Sequence, residues 1–172
     1  MEKVIAKVSE KISEYQILNN LIPGALFCVM LPYVTSYKVL GENVWLNLVI
    51  VYFCGIVISR VGSLFVEWLF RKCRFVKFEL YPRYIKASEK APFIKTLSME
   101  NNMYRTFISL FLILLLAKLS EYIGSVWSFW DRNFPLILCV LLLGLSIGAY
   151  IKQTRYVVNR INEQLKSDET KE

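Results

Sequence analysis

The sequence predicts an all-α membrane protein with four transmembrane helices, both termini cytoplasmic, and a small, mainly helical cytoplasmic layer. Three observations carry that prediction. Apolar residues make up 55% of the 172, and mean hydropathy is +0.41, too greasy a composition for a soluble domain of this size. Four runs, 15–37, 43–59, 106–117 and 133–151, contain no charged residue at all. Charge is also unevenly spread. In the segment 71–105, nine basic residues (Arg71, Lys72, Arg74, Lys77, Arg83, Lys86, Lys90, Lys95, Arg105) face only Glu79, Glu89 and Glu100, which accounts for six of the seven net positive charges.

Orientation follows from where the basic residues fall. Three lie in the N-terminal arm, nine in the middle segment and five after Ile151, whereas the two alternate loops hold only Lys38, Lys118 and Arg132. The positive-inside rule places both termini and the middle segment on the cytoplasmic side. Aromatic residues agree, with Trp45, Tyr122, Trp127 and Trp130 at the outer interface and Trp68 and Tyr104 at the inner one. Glu2, Glu10 and Glu14 interrupt any basic n-region, so the start does not read as a secretory signal.

Residues 1–14 form the first element, a cytoplasmic amphipathic helix with Ile5, Val8, Ile12 and Tyr15 on one face and Lys3, Lys7 and Lys11 opposite. Residues 15–70 are the first transmembrane hairpin. Pro23-Gly24 at its entrance predicts a break or wide turn at the membrane surface, and Pro32 a second kink. The second span extends toward Trp68 if Arg60 and Glu67 lie near the inner interface. It carries Gly55, Ser59 and Ser63 at four-residue spacing, and the fourth span carries Gly144 and Gly148, faces suited to close helix packing within the chain or between subunits.

The basic cytoplasmic segment is 71–102. Alternation of charged and apolar residues from Arg74 to Leu80 predicts a short extended piece. Tyr81-Pro82 then starts a helix lasting to about Lys90, Ala91-Pro92 breaks it, and a further helix from Phe93 runs on into the third span. The second hairpin is 103–151, with Lys118 snorkelling outward. In 152–172, Val158, Ile161 and Leu165 continue a helix that frays in the polar tail from Ser167. The four cysteines (Cys28, Cys54, Cys73, Cys139) show no paired spacing and read as small apolar filler.

Catalysis is not expected. There is no histidine, no Gly-x-Ser-x-Gly, no Gly-rich phosphate loop and no acidic pair inside the membrane, so neither an enzyme nor a metal or cofactor protein is predicted. Two other constellations remain. Asn19, Asn20, Arg60, Glu67, Asn101, Asn102 and Arg105 all fall near the inner interface, where charges need partners. They form either a structural latch, with Arg60 satisfied by Glu67 or the asparagines, or a coupling between the cytoplasmic layer and the spans. The basic segment has three readings. It orients the helices, it attracts anionic lipid at ~1 kcal/mol per basic residue, or it binds a phosphate-rich ligand through Arg74, Lys77, Arg83, Lys86, Lys90 and Lys95 interleaved with Phe75, Phe78, Tyr81 and Tyr84.

Three stretches carry a family resemblance: Tyr15-Gln16-Ile17-Leu18-Asn19-Asn20-Leu21-Ile22-Pro23-Gly24, Ser59-Arg60-Val61-Gly62-Ser63-Leu64 with Glu67, and Glu100-Asn101-Asn102-Met103-Tyr104-Arg105-Thr106. Together they resemble small four-span membrane proteins of bacterial anti-phage defence, foremost the transmembrane effector of Hailong systems and secondarily the four-span subunit of Kiwa systems. The first resemblance implies a homotetrameric effector, held inactive by a single-stranded DNA oligomer from a partner nucleotidyltransferase and released on infection to damage the inner membrane. It also implies that the ligand faces the basic segment. The competing class is a non-conducting scaffold or sensor that anchors a soluble defence partner. A small transporter fits poorly, because no ionisable relay is available at mid-depth.

Overall fold

The computed structural model describes residues 2–76, 81–91 and 93–169, and among them every regular element is helical. In chain order they are α1 (Glu2–Val34), α2 (Val44–Val61), a π-helical turn (Gly62–Val66), α3 (Glu67–Lys72), α4 (Tyr81–Lys90), α5 (Phe93–Val126) and α6 (Ser128–Glu169). Three of the resulting rods are long and apolar enough to cross a membrane: Val44–Lys72, Phe93–Val126 and Ser128–Asn162. The apolar part of α1, Asn19–Val34, is shorter, about 24 Å of helix at ~1.5 Å per residue.

α1 corrects one expectation. It passes through Pro23 and Pro32 without interruption, although each proline removes a backbone donor. Neighbouring helices make this tolerable. Pro23 is fully buried, and the backbones of α1 and α2 touch directly beside it: a Cβ on Gly24 would overlap the Val51 carbonyl oxygen, and one on Gly55 the Asn20 carbonyl oxygen. Gly55 thus serves packing within the chain. Cys28 and Cys54, both free thiols, lie on these two helices. The amphipathic face through Ile5, Val8, Ile12 and Tyr15 lies outside the described side chains.

The core sits where α1, α2 and α5 converge. Leu31, Ile58, Leu110 and Leu114 are buried there, with Phe27, Met30, Tyr37, Ile113 and Ala117 around them. At the far end of the bundle Glu121 of α5 ties the turn after α1 to its own helix, accepting from Lys118 Nζ at 2.7 Å and from the Ser36 backbone N–H at 2.6 Å, while Trp130 Nε1 donates to Ser120 Oγ at 3.0 Å. α6 packs on the flank. No residue of its most apolar stretch is buried, and it continues past Ile151 as a single helix.

α3 ends in a reciprocal cap. Arg74 adopts the left-handed conformation (φ 56°), its N–H bonds the Arg71 carbonyl at 3.2 Å, and the Phe75 N–H bonds the Phe70 carbonyl at 3.0 Å. These are the two hydrogen bonds of a Schellman motif, completed by the edge-on packing of Phe70 and Phe75, with ring centroids 5.9 Å apart. Residues 74–76 therefore close a helix instead of starting the extended piece predicted for them. Beyond them α4 begins at Tyr81 with Pro82 in its first turn, and α5 begins at Phe93, as the sequence predicts.

Candidate functional site

The polar centre of the molecule is Glu67, the first residue of α3, whose side chain is 10% exposed. Its Oε2 accepts from Arg105 Nη1 of α5 and from Lys152 Nζ of α6, both at 2.8 Å, and its Oε1 accepts from Arg71 Nη2 at 3.1 Å. Lys152 Nζ also donates to the Ser63 carbonyl at 2.6 Å. One carboxylate thus joins three helices by charge-assisted hydrogen bonds, the strong kind.

The π-helical turn puts Glu67 there. Seven residues along an ordinary α-helix bring a side chain back to within about 20° of its starting face, so an unbroken helix would set Glu67 on the same side as Arg60. From Gly62 to Val66 the backbone instead bonds i→i+5, with the Glu67 N–H reaching the Gly62 carbonyl. That wider turn shifts everything after it around the helix axis. Glu67 turns inward, while Arg60 stays on the exposed side of α2 and forms no ion pair with another described residue. The latch expected between Arg60 and Glu67 or the asparagines is therefore corrected: the partners of Glu67 are Arg71, Arg105 and Lys152.

Gly62 allows the approach of α5. A Cβ there would stand 2.6 Å from Ser109 Oγ and 3.2 Å from the Arg105 carbonyl oxygen. Ser109 and Thr106, both fully buried, turn their hydroxyls back onto the Arg105 and Asn102 carbonyls at 2.9 and 2.8 Å, which keeps the contact face of α5 free of unpaired hydroxyl groups.

From the ion cluster an aromatic path leads to α4. Lys152 Nζ lies 5.7 Å from the ring centroid of Tyr156, one turn further along α6. Tyr156 stacks on Tyr81 of α4 at 4.9 Å, and Tyr81 stacks on Tyr84 at 6.2 Å. α4 is held down on its other side by Ile85 and Ser88, both 2% exposed. This leaves Arg83 and Lys86 on its exposed side, with Lys95 exposed in the first turn of α5.

The remaining predicted residues can be placed against this frame. Arg74 is exposed in the cap of α3, Lys77 lies outside the described residues, and Lys90 closes α4 with its side chain outside them. Asn19 and Asn20 are half-buried on α1, Asn20 lending its backbone to the Gly55 contact; Asn102 is half-buried and Asn101 exposed on α5. Of the seven residues expected at one depth, only Glu67 and Arg105 meet as an ion pair. Three participants were missed. Arg71 stands four residues after Glu67 in the favourable acid-before-base order, a signal present in the sequence. Lys152 and Tyr156 gave none, since their partners lie more than 70 positions away.

Among the described residues, no group of acidic, cysteine or histidine side chains could hold a metal ion. No protein-family model, no curated protein and no solved structure matches the chain.

Proposed function

We propose that this chain is a non-enzymatic, four-span inner-membrane effector of anti-phage defence, oriented with both termini in the cytoplasm and working as a homo-oligomer, a tetramer in the resembled family. Its basic cytoplasmic face is controlled by a nucleotide or single-stranded DNA oligomer made by a partner nucleotidyltransferase. Its active state disrupts the membrane or conducts ions, ending in abortive infection. The observation that carries this reading is the continuous connection from α4 to the span ends: Tyr84, Tyr81, Tyr156, Lys152 and Glu67 in stacked or bonded sequence. A polyanion settling on Arg83, Lys86 and Lys95 pulls on α4, and α4 bears on Lys152 through the two tyrosines.

Expression of the chain alone in bacteria, read with a potential-sensitive dye, tests this. Depolarisation that is suppressed by co-expressing the ligand-producing partner is expected; an intact potential under every condition contradicts it. One observation favours the scaffold reading: Val157, Val158, Ile161 and Leu165 form an exposed apolar stretch on the cytoplasmic extension of α6. A scaffold leaves the membrane potential untouched.

A further inference from the structure

α6 has two faces. Gly148 near Leu64, Lys152 at Glu67 and Tyr156 on Tyr81, spaced four residues apart, turn one side of it onto the chain. On the opposite side, ~180° around the helix axis, Leu136, Val140, Leu143, Ile147 and Tyr150 follow one another at spacings of four, three, four and three, each 52–73% exposed. The row does not stop at the membrane. Lys152 closes the apolar run 133–151, yet the same spacing continues past it through exposed Thr154 to exposed Val157 and Ile161. Apolar residues alternating at three and four over more than three heptads make the seam of a coiled coil.

Gly144 is a separate observation. It lies one turn from both Val140 and Ile147, and a Cβ built there would have no atom within 4 Å, whereas Gly24, Gly55 and Gly62 each admit a neighbouring helix. Glycine weakens the middle of a helix, and no contact inside the chain calls for this one. What covers the row must reach all of it. Lipid covers the part inside the bilayer and leaves Val157 and Ile161 in water, while a soluble protein covers those two and cannot follow the row into hydrocarbon. The occupant is a helix apolar through the bilayer and apolar at every third and fourth residue beyond it. α6 has that form itself.

We propose that this row is the surface through which the chain self-associates, a second copy laying its own α6 along it. Copies inserted with one orientation meet only in parallel, so the two helices pack in register, with Gly144 allowing close approach and Thr154 set against its counterpart. Burial of Val157 and Ile161 beyond the bilayer adds the hydrophobic driving force that lipid-facing helices lack. The proposal rests on the homo-oligomer of the proposed function and on α6 crossing the membrane. Neither the ligand nor the leak enters it.

The test uses the full-length chain in membranes, with its exposed thiols Cys73 and Cys139 replaced by serine and one of Val157→Cys, Ile161→Cys, Arg155→Cys or Asn162→Cys added, then oxidised with copper phenanthroline. Disulfide-linked dimer is expected at 157 and 161 and not at 155 and 162. Val157→Glu with Ile161→Glu changes only exposed side chains outside the hydrocarbon, so the fold survives. By native mass spectrometry in detergent, this double variant should lose the oligomer and leave the 20.1 kDa monomer. Equal or absent cross-linking at the four positions, an oligomer that survives the double variant, or a bond from 157 or 161 to a different protein overturns the seam. A wild type that still runs as an oligomer then leaves the proposed function standing, and a monomeric wild type contradicts both.

Discussion

Glu67 is the residue on which the inner end of the bundle turns. Removing it takes the carboxylate away from Arg105 and Lys152, both mostly buried, so Glu67→Ala is expected to lower stability by ~3–5 kcal/mol. Arg60→Ala, on the exposed side of α2, should stay within about 0.5 kcal/mol. Thermal unfolding of the two variants in one detergent checks this, and equal losses would contradict the ion geometry. A steric counterpart lies on α1 and α2. Gly55→Val places methyl groups into the Asn20 backbone and is expected to abolish α1–α2 packing, seen as new labelling of the buried Cys28; unchanged protection of that thiol would mean the helices do not meet there. Sequence reasoning reached Glu67 and Arg105 because charges beside apolar runs stand out. It could not choose their partners, since pairing depends on which way each helix is turned.

At the scale of elements, what was legible followed local rules. Tyr81-Pro82 starts α4 because proline fits a helix's first turn, and Ala91-Pro92 ends it because proline cannot continue one. The continuity of α1 through two prolines and the π-helical turn were not legible, because both depend on a neighbouring helix: α2 against Gly24 and α5 against Gly62. At 74–76 the alternation misled, since a helix cap and the start of a strand can share one short pattern; the rest of the expected extended piece, 77–80, lies outside the described residues. The cap makes its own prediction. Arg74 holds a left-handed backbone that glycine adopts without strain, so Arg74→Gly should stabilise the helix end by about 1 kcal/mol while removing one cation from the segment proposed to meet a polyanion. A raised unfolding temperature together with weaker oligonucleotide binding is expected; a lowered unfolding temperature would argue against the cap.

The whole molecule is an unevenly packed bundle. α1, α2 and α5 share a core, whereas α6 is tied to the rest through Lys152 and Tyr156 at the Glu67 end, Gly148 near Leu64, and Phe134 on Tyr37 and Trp130 at Ser120 toward the other end. A helix so held can shift when its inner tie is loosened, and that tie is within reach of α4 through Tyr156 and Tyr81. Polyanion binding at α4 should also weaken steeply as salt is raised, as contacts to phosphate do. The most direct test is ion leak from proteoliposomes carrying the wild-type chain or Glu67→Gln, with a short oligothymidylate presented to the face that carries α4. The account predicts that the oligonucleotide changes the wild-type leak, and that Glu67→Gln still binds it but no longer responds. A leak that ignores the oligonucleotide in the wild type, or a variant that responds as the wild type does, would contradict it.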